Sequence, residues 1–170
     1  VDIVAQGYDL AIRVGVLASS TLLARKLALN PRTLVASPAY LAQHGTPKRP
    51  ADLKQHNCIT LGETRNWSLR DSQGSVHDVR ATGQFSTNFG EAISDVVVAG
   101  LGIGLKSIWD VSDYLKSGQL VRVLPDYSIE PEWQIWAVRP PNTLSPTRVQ
   151  VFTNFLEEKF RQAQLGSLPE

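Results

Sequence analysis

A chain of 170 residues is long enough for one domain or two small lobes. With 42% hydrophobic and 19% charged residues, its composition is that of an ordinary globular protein and excludes intrinsic disorder. A net charge of +1 removes any demand for a nucleic-acid or membrane surface in this stretch.

Taken in chain order, Asp9–Val14 reads as a strand ending at Gly15. Leu23–Leu29 reads as a longer strand with Leu23, Leu27 and Leu29 on one side, broken by Asn30-Pro31. Thr33–Ala36 is a second extended piece. Ser37-Pro38 opens a short helix, with Ser37 as cap and Pro38 in the first turn, and the helix ends near His44-Gly45. Thr46–Pro50 is a turn-rich linker, Ala51–His56 a helical turn or two, and Cys58–Leu61 a strand. Trp67–Leu69 and Val76–Val79 form an antiparallel pair around Asp71–Gly74. Ala81–Thr87 reads as one strand.

The most informative stretch follows. In Asn88-Phe89-Gly90-Glu91, Asn88 is placed to cap a helix and Glu91, three residues on, completes a capping-box-like pair. Phe89, Ala92, Ile93, Val96 and Val97 recur at helical spacing, and Gly100 sits where a left-handed stop is wanted. Gly102 and Gly104 allow close approach of a neighbouring element or a ligand. The first helical turn offers free amides and a positive dipole end to whatever lies before it. Beyond it, Ile108–Lys116 reads as a helix stopped by Gly118, Leu120–Leu124 as a strand and Trp133–Val138 as another. Ser145-Pro146 caps a last helix whose apolar face carries Val149, Phe152, Leu156 and Phe160. A frayed tail is expected after Leu165. Strands alternating with helices predict an α/β fold with largely parallel sheets. Proline-marked crossings at Leu29–Thr33 and Tyr127–Glu132 predict two lobes, 1–31 plus 131–170 and 32–130, with a cleft between them.

Most catalytic readings fail on spacing. Gly100-Leu101-Gly102-Ile103-Gly104 lies after a helix and before a strand, the reverse of a dinucleotide fingerprint. His44, His56 and His77 fall in turns or at element ends, without metal-ligand spacing to Cys58 or a carboxylate, and read as exposed. The lone Cys58 reads as a small buried hydrophobe and permits no internal disulfide. Glu91 and Asp95 share a solvated helix face. Lys48-Arg49 reads as a solvated loop, and the tryptophans as core. Arg13 stands in a strand that should otherwise be buried, so it needs an acidic partner or an opening to water, and a structural ion pair and a ligand contact weigh equally. No metal or cofactor is implied. No apolar run approaches the ~20 residues of a membrane span, and no signal peptide is visible. The chain begins at Val1, without Met, in the middle of apparent structure, which points to a fragment.

Taken together, these segments resemble the effector-binding domain of LysR-type transcriptional regulators. The resemblance runs from Val1–Gly15 through Ala36–Leu41, Pro50–Leu53 and Asn88–Gly104 to Gly118–Pro125 and Leu144–Val149. It implies a two-lobed α/β fold like a type-II periplasmic binding protein, with the first lobe incomplete, and a cytoplasmic, non-enzymatic role in sensing a small molecule between the lobes. By the same resemblance, the effector contacts are Arg13, Val14, Gly15, Ser86, Thr87, Asn88, Phe89, Gly104, Leu105 and Lys106. If the effector is an anion, Ser86, Thr87 and the amides around Asn88 hold it, with Arg13 as counter-charge. DNA is expected to be bound only by a winged helix-turn-helix that this chain lacks. Self-association as a dimer or tetramer is expected of the regulator, and the fragment is expected either to self-associate or to be poorly ordered before about Leu22. The competing readings are a secreted solute-binding protein of a transport system and an enzyme on the same fold. The latter needs an acid–base pair that the sequence does not offer.

Overall fold

A computed structural model describes residues 3, 5–17, 21–141 and 146–163. In chain order the elements are β1 (Ala11–Gly15), β2 (Leu23–Asn30), β3 (Arg32–Ala36), α1 (Pro38–His44), a 3₁₀ turn (Pro50–Gln55), β4 (Cys58–Leu61), β5 (Asn66–Arg70) and β6 (Val76–Arg80). They continue with β7 (Ser86–Thr87), α2 (Gly90–Val98), β8 (Ile103–Ser107), α3 (Ile108–Lys116), β9 (Val121–Val123), β10 (Ser128–Glu130), β11 (Trp133–Arg139) and α4 (Thr147–Ala163). The described residues divide into two compact units, one taking those up to Pro31 and from Glu132 to Ala163, the other Arg32–Pro131.

The first unit is an antiparallel sheet in the order β1-β11-β2, with α4 packed on β2. Leu27, Ile135 and Ala137 form its core, with Ala28, Leu156 and Phe160 against them. Three expectations change here. Leu27 and Leu29 do not share a face, because the β2–β11 register shifts at Ile135/Trp136. Lys26 pairs with Trp136 and Ala28 with Ile135, which leaves Leu27 as the extra residue. A bulge reverses the alternation, so Ala28 follows Leu27 into the core and Leu29 is exposed. On α4 the inward face carries Val149 and Thr153, and Phe152 is 49% exposed. The expected cap Ser145 and the tail after Leu165 lie outside the described residues. β1, expected to be buried, pairs only with β11 among the described strands, and its Ile12 and Val14 are 41% and 48% exposed.

The second unit is built on a five-stranded sheet in the order β7-β4-β8-β3-β9, with a smaller antiparallel sheet, β10-β5-β6. Alternation along β3 sends Leu34 and Ala36 into one core with Tyr40, Leu53, Cys58, Trp67 and Ile103. It sends Val35 into the other, with Ile59, Ile93, Val97 and Val111. Residues buried on both faces explain the continuous apolar run. The sheets are not largely parallel. Among the described strands only β7–β4 and β4–β8 pair in parallel, and every other pairing is antiparallel. Strand β8, inserted between β3 and β4, runs against β3, so the β3–α1–β4 passage is no simple parallel crossover.

Local signals were obeyed closely. Ser37 Oγ accepts from Tyr40 N at 3.2 Å, and Pro38 opens α1. Gly100, at φ +81°, ends α2 with the paired bonds of a Schellman motif: Leu101 N to Val96 O at 3.2 Å and Gly100 N to Val97 O at 3.0 Å. The Ala81–Thr87 strand shrinks to Ser86–Thr87. A Cβ on Gly83 would stand 2.1 Å from Cys58 O, so the chain crosses β4 too closely there to run as a regular neighbour.

Candidate functional site

The start of α2 is where the second unit gathers its expected site residues. Asn88 is one residue too early to cap it. The cap position falls on Phe89, whose side chain makes no capping bond, and α2 begins at Gly90. Thr87 takes over the local role, its Oγ1 accepting from Phe89 N at 3.1 Å. Glu91 is in the first turn, so its carboxylate favours the dipole there without completing a box. The first-turn amides of α2 therefore carry no side-chain cap, and Phe89 beside them is 58% exposed. Ser86 Oγ donates to Gly62 O at 2.7 Å, which ties β7 to the turn after β4.

Lys106 converges on the same point from β8. It is buried, its Nζ donates to Gly90 O at 2.6 Å, and it forms an ion pair with Asp110 in the first turn of α3. Asp110 escaped the sequence reading, although a Lys and an Asp four residues apart was the available signal. Gly104 and Leu105 are used differently. A Cβ on Gly104 would meet Val97 Cγ2 at 2.8 Å and Ile93 Cγ2 at 3.0 Å, and half-buried Leu105 packs on the core of the other sheet face. Gly102 likewise makes room for a neighbouring element, with Asn57 O at 2.3 Å from a Cβ placed there.

In the first unit, Arg13, Val14 and Gly15 lie on β1. Arg13 is exposed and registered with Trp136, and Trp136 Nε1 donates to Gly15 O at 3.1 Å. The remaining candidates resolve one by one. Cys58 is fully buried and burial pushes its thiol up to about 11, which suits a core residue and not a nucleophile. His77 is exposed, 2.9 Å from Asp71. His56 corrects the expectation of exposed histidines. It is buried against the Tyr40 hydroxyl at 3.2 Å, and burial, reinforced by His44, holds it below the ordinary histidine value. Among the described residues, no three His, Cys, Asp or Glu side chains are grouped to hold a metal, and no helix is long and apolar enough to cross a membrane.

Comparison with known proteins shows which family this chain resembles. The family model for the LysR substrate binding domain matches residues 1–161. The chain is 40% identical over 166 residues to the HTH-type transcriptional regulator DmlR of Escherichia coli K12, covering 95% of this chain and 53% of that protein. The full-length structure of the Vibrio cholerae virulence activator AphB superposes with a TM-score of 0.80 at 30% identity, over 93% of this chain and 54% of that one. The regulatory domain of CrgA from Neisseria meningitidis gives 0.78 at 30% identity, over 92% of this chain and 77% of that one. The chain spans about half the length of the curated relatives it matches.

Proposed function

Because the chain belongs to the LysR substrate-binding domain family, we propose that it is the effector-sensing part of a cytoplasmic transcriptional regulator whose DNA contacts are made by a helix-turn-helix elsewhere in the polypeptide. Relatives named as HTH-type regulators support this over a solute-binding protein of a transport system and over an enzyme. An effector acts by binding one arrangement of the regulator better than another, and shifts their balance only by that difference in affinity.

The proposed effector is a small anion. The observation that carries this is the α2 terminus, where uncapped first-turn amides lie beside Thr87 and the buried ammonium of Lys106. Ser86, Thr87, Asn88, Phe89 and Lys106 are the proposed contacts in the second unit, with Gly104 and Leu105 setting the strand behind them. Arg13, Val14 and Gly15 are the proposed contacts in the first. Self-association, as a dimer or tetramer, is also proposed. It is supported by the apolar surface that the first unit exposes at Ile12, Val14, Val151, Phe152 and Phe155.

A thermal-shift screen of small carboxylates and aromatic acids tests the reading. A ligand at 100 times its Kd adds about 2.7 kcal/mol. Binding that weakens with salt and in Thr87→Val supports the placement, and binding unchanged in that variant overturns it.

A further inference from the structure

Away from the start of α2, Tyr40, His44, His56 and Asn57 meet at a groove of about 530 Å³ that Gly83 and Gln84 also line. Asn57 N donates to the Tyr40 phenol oxygen at 2.9 Å, and that oxygen lies 3.2 Å from His56 Nδ1. Tyr40 is 2% exposed and His56 9%. The phenol has one hydrogen. With its oxygen accepting from Asn57, the phenol can donate that hydrogen to His56 Nδ1 when the imidazole is neutral with its proton on Nε2. A proton added to His56 would occupy Nδ1, so the phenol hydrogen must turn away and the oxygen accept from His56 in competition with Asn57.

The titratable neighbours weigh in the same direction. His44 on α1, its ring stacked on Tyr40 at 4.3 Å, weighs against a charge on His56. Asp52 in the 3₁₀ turn favours that charge, but less than burial and His44 oppose it. Cys58, whose charge would bear on Tyr40, is held as the thiol.

Asn57 carries the relay onward. Its Oδ1 accepts from Gln84 N at 2.8 Å, two residues before Ser86, and its Nδ2 donates to Leu101 O, in the turn that closes α2. It has no slack. A Cβ on Gly102 would lie 2.3 Å from its carbonyl oxygen, and one on Gly83 2.7 Å from its Oδ1. Movement of Asn57 would strain both bonds.

The geometry points to a proton-linked switch in the second unit: protonation of His56 breaks the Tyr40–Asn57 relay and loosens both the segment from Gln84 to Phe89 and the closing turn of α2. Its regulatory consequence, an effector surface that weakens in acid, rests on the effector reading of that segment. The switch itself does not.

The test is an NMR titration of the 170-residue chain from about pH 8 to about pH 5, following the histidine rings and the backbone amides. The expected result is a His56 midpoint below that of a free histidine, with the Asn57, Gln84 and Leu101 amides shifting and losing exchange protection at the same midpoint. His44→Gln should raise the midpoint. Tyr40→Phe should leave His56 titrating while Gln84 and Leu101 no longer follow it. Gln84 and Leu101 amides that stay still through the wild-type His56 midpoint, or that follow it equally in Tyr40→Phe, would overturn the switch. Failure of the Thr87→Val binding test would remove the effector reading and leave this result standing.

Discussion

The Lys106 ammonium lies 2.6 Å from the carbonyl oxygen of Gly90, the first residue of α2, on a side chain that is 4% exposed. The same ammonium is paired with Asp110. One buried charge thus ties the end of β8 to the starts of both helices on that sheet face. It fixes where the first amides of α2 stand, because neither helix can shift without stranding the ammonium.

The two ends of this pair should not be equally costly to remove, because Lys106 is buried and Asp110 is partly solvated. Asp110→Ala leaves a buried ammonium without its carboxylate and should cost about 2–3 kcal/mol, somewhat below a fully buried pair because Asp110 is partly solvated. Lys106→Met also removes one partner, but the carboxylate it leaves is 26% exposed and can be hydrated, so it should cost less than Asp110→Ala. Urea denaturation of both variants decides it. A larger loss in Lys106→Met would mean that the pair does not govern this corner.

The glycines should rank by what a methyl group would strike. Gly104→Ala pushes against the side chains of Val97 and Ile93 and should cost about 1–3 kcal/mol. Gly102→Ala meets the Asn57 backbone oxygen, which cannot turn aside, and should cost more. Gly100→Ala strains a residue at φ +81° and should cost about 1 kcal/mol. Denaturation midpoints should reproduce that order, and the reverse ranking of Gly102 and Gly104 would contradict the packing described.

Stability should fall in mild acid through His56. Its value in the folded chain is depressed, so the unfolded chain binds its proton first, and the linkage sign makes stability rise with pH. The contribution is complete above the ordinary value of about 6.5 and disappears as pH falls through the folded value. The urea midpoint of the parent should drop between about pH 7 and about pH 5, and His56→Gln should flatten that slope. An equal slope in the variant would assign the loss to other groups.

The outer face of α4 should drive association. Val151, Phe152 and Phe155 are 62%, 49% and 52% exposed. Phe155→Ser removes exposed apolar surface without touching the inward residues Val149 and Thr153, so folding should persist while the sedimentation coefficient moves toward that of a monomer. Association unchanged in this variant would place the contact elsewhere.

Signals that act within a few residues were legible in the chain. Ser37-Pro38 before α1 and Gly100 after α2 do what their chemistry dictates, because a cap or a left-handed stop needs only its own backbone. The hairpin around Asp71–Gly74 and the buried Cys58 read equally well. Asn88 shows the margin of error. A helix that starts one residue later hands the cap position to Phe89 and the useful oxygen to Thr87.

What the sequence determined by itself was the alternation of elements, the ends of most of them, and the family pattern in which they occur. The tertiary structure decided which faces those elements present. A bulge that no residue type announces turned Leu29 outward. Insertion of β8 beside β3 made the sheet mixed. Contacts between residues distant in sequence brought Lys106 to Gly90 and His56 to Tyr40. Periodicity records how a segment coils. Which side is buried, and which polar groups meet there, depends on partners whose positions exist only once the chain has folded.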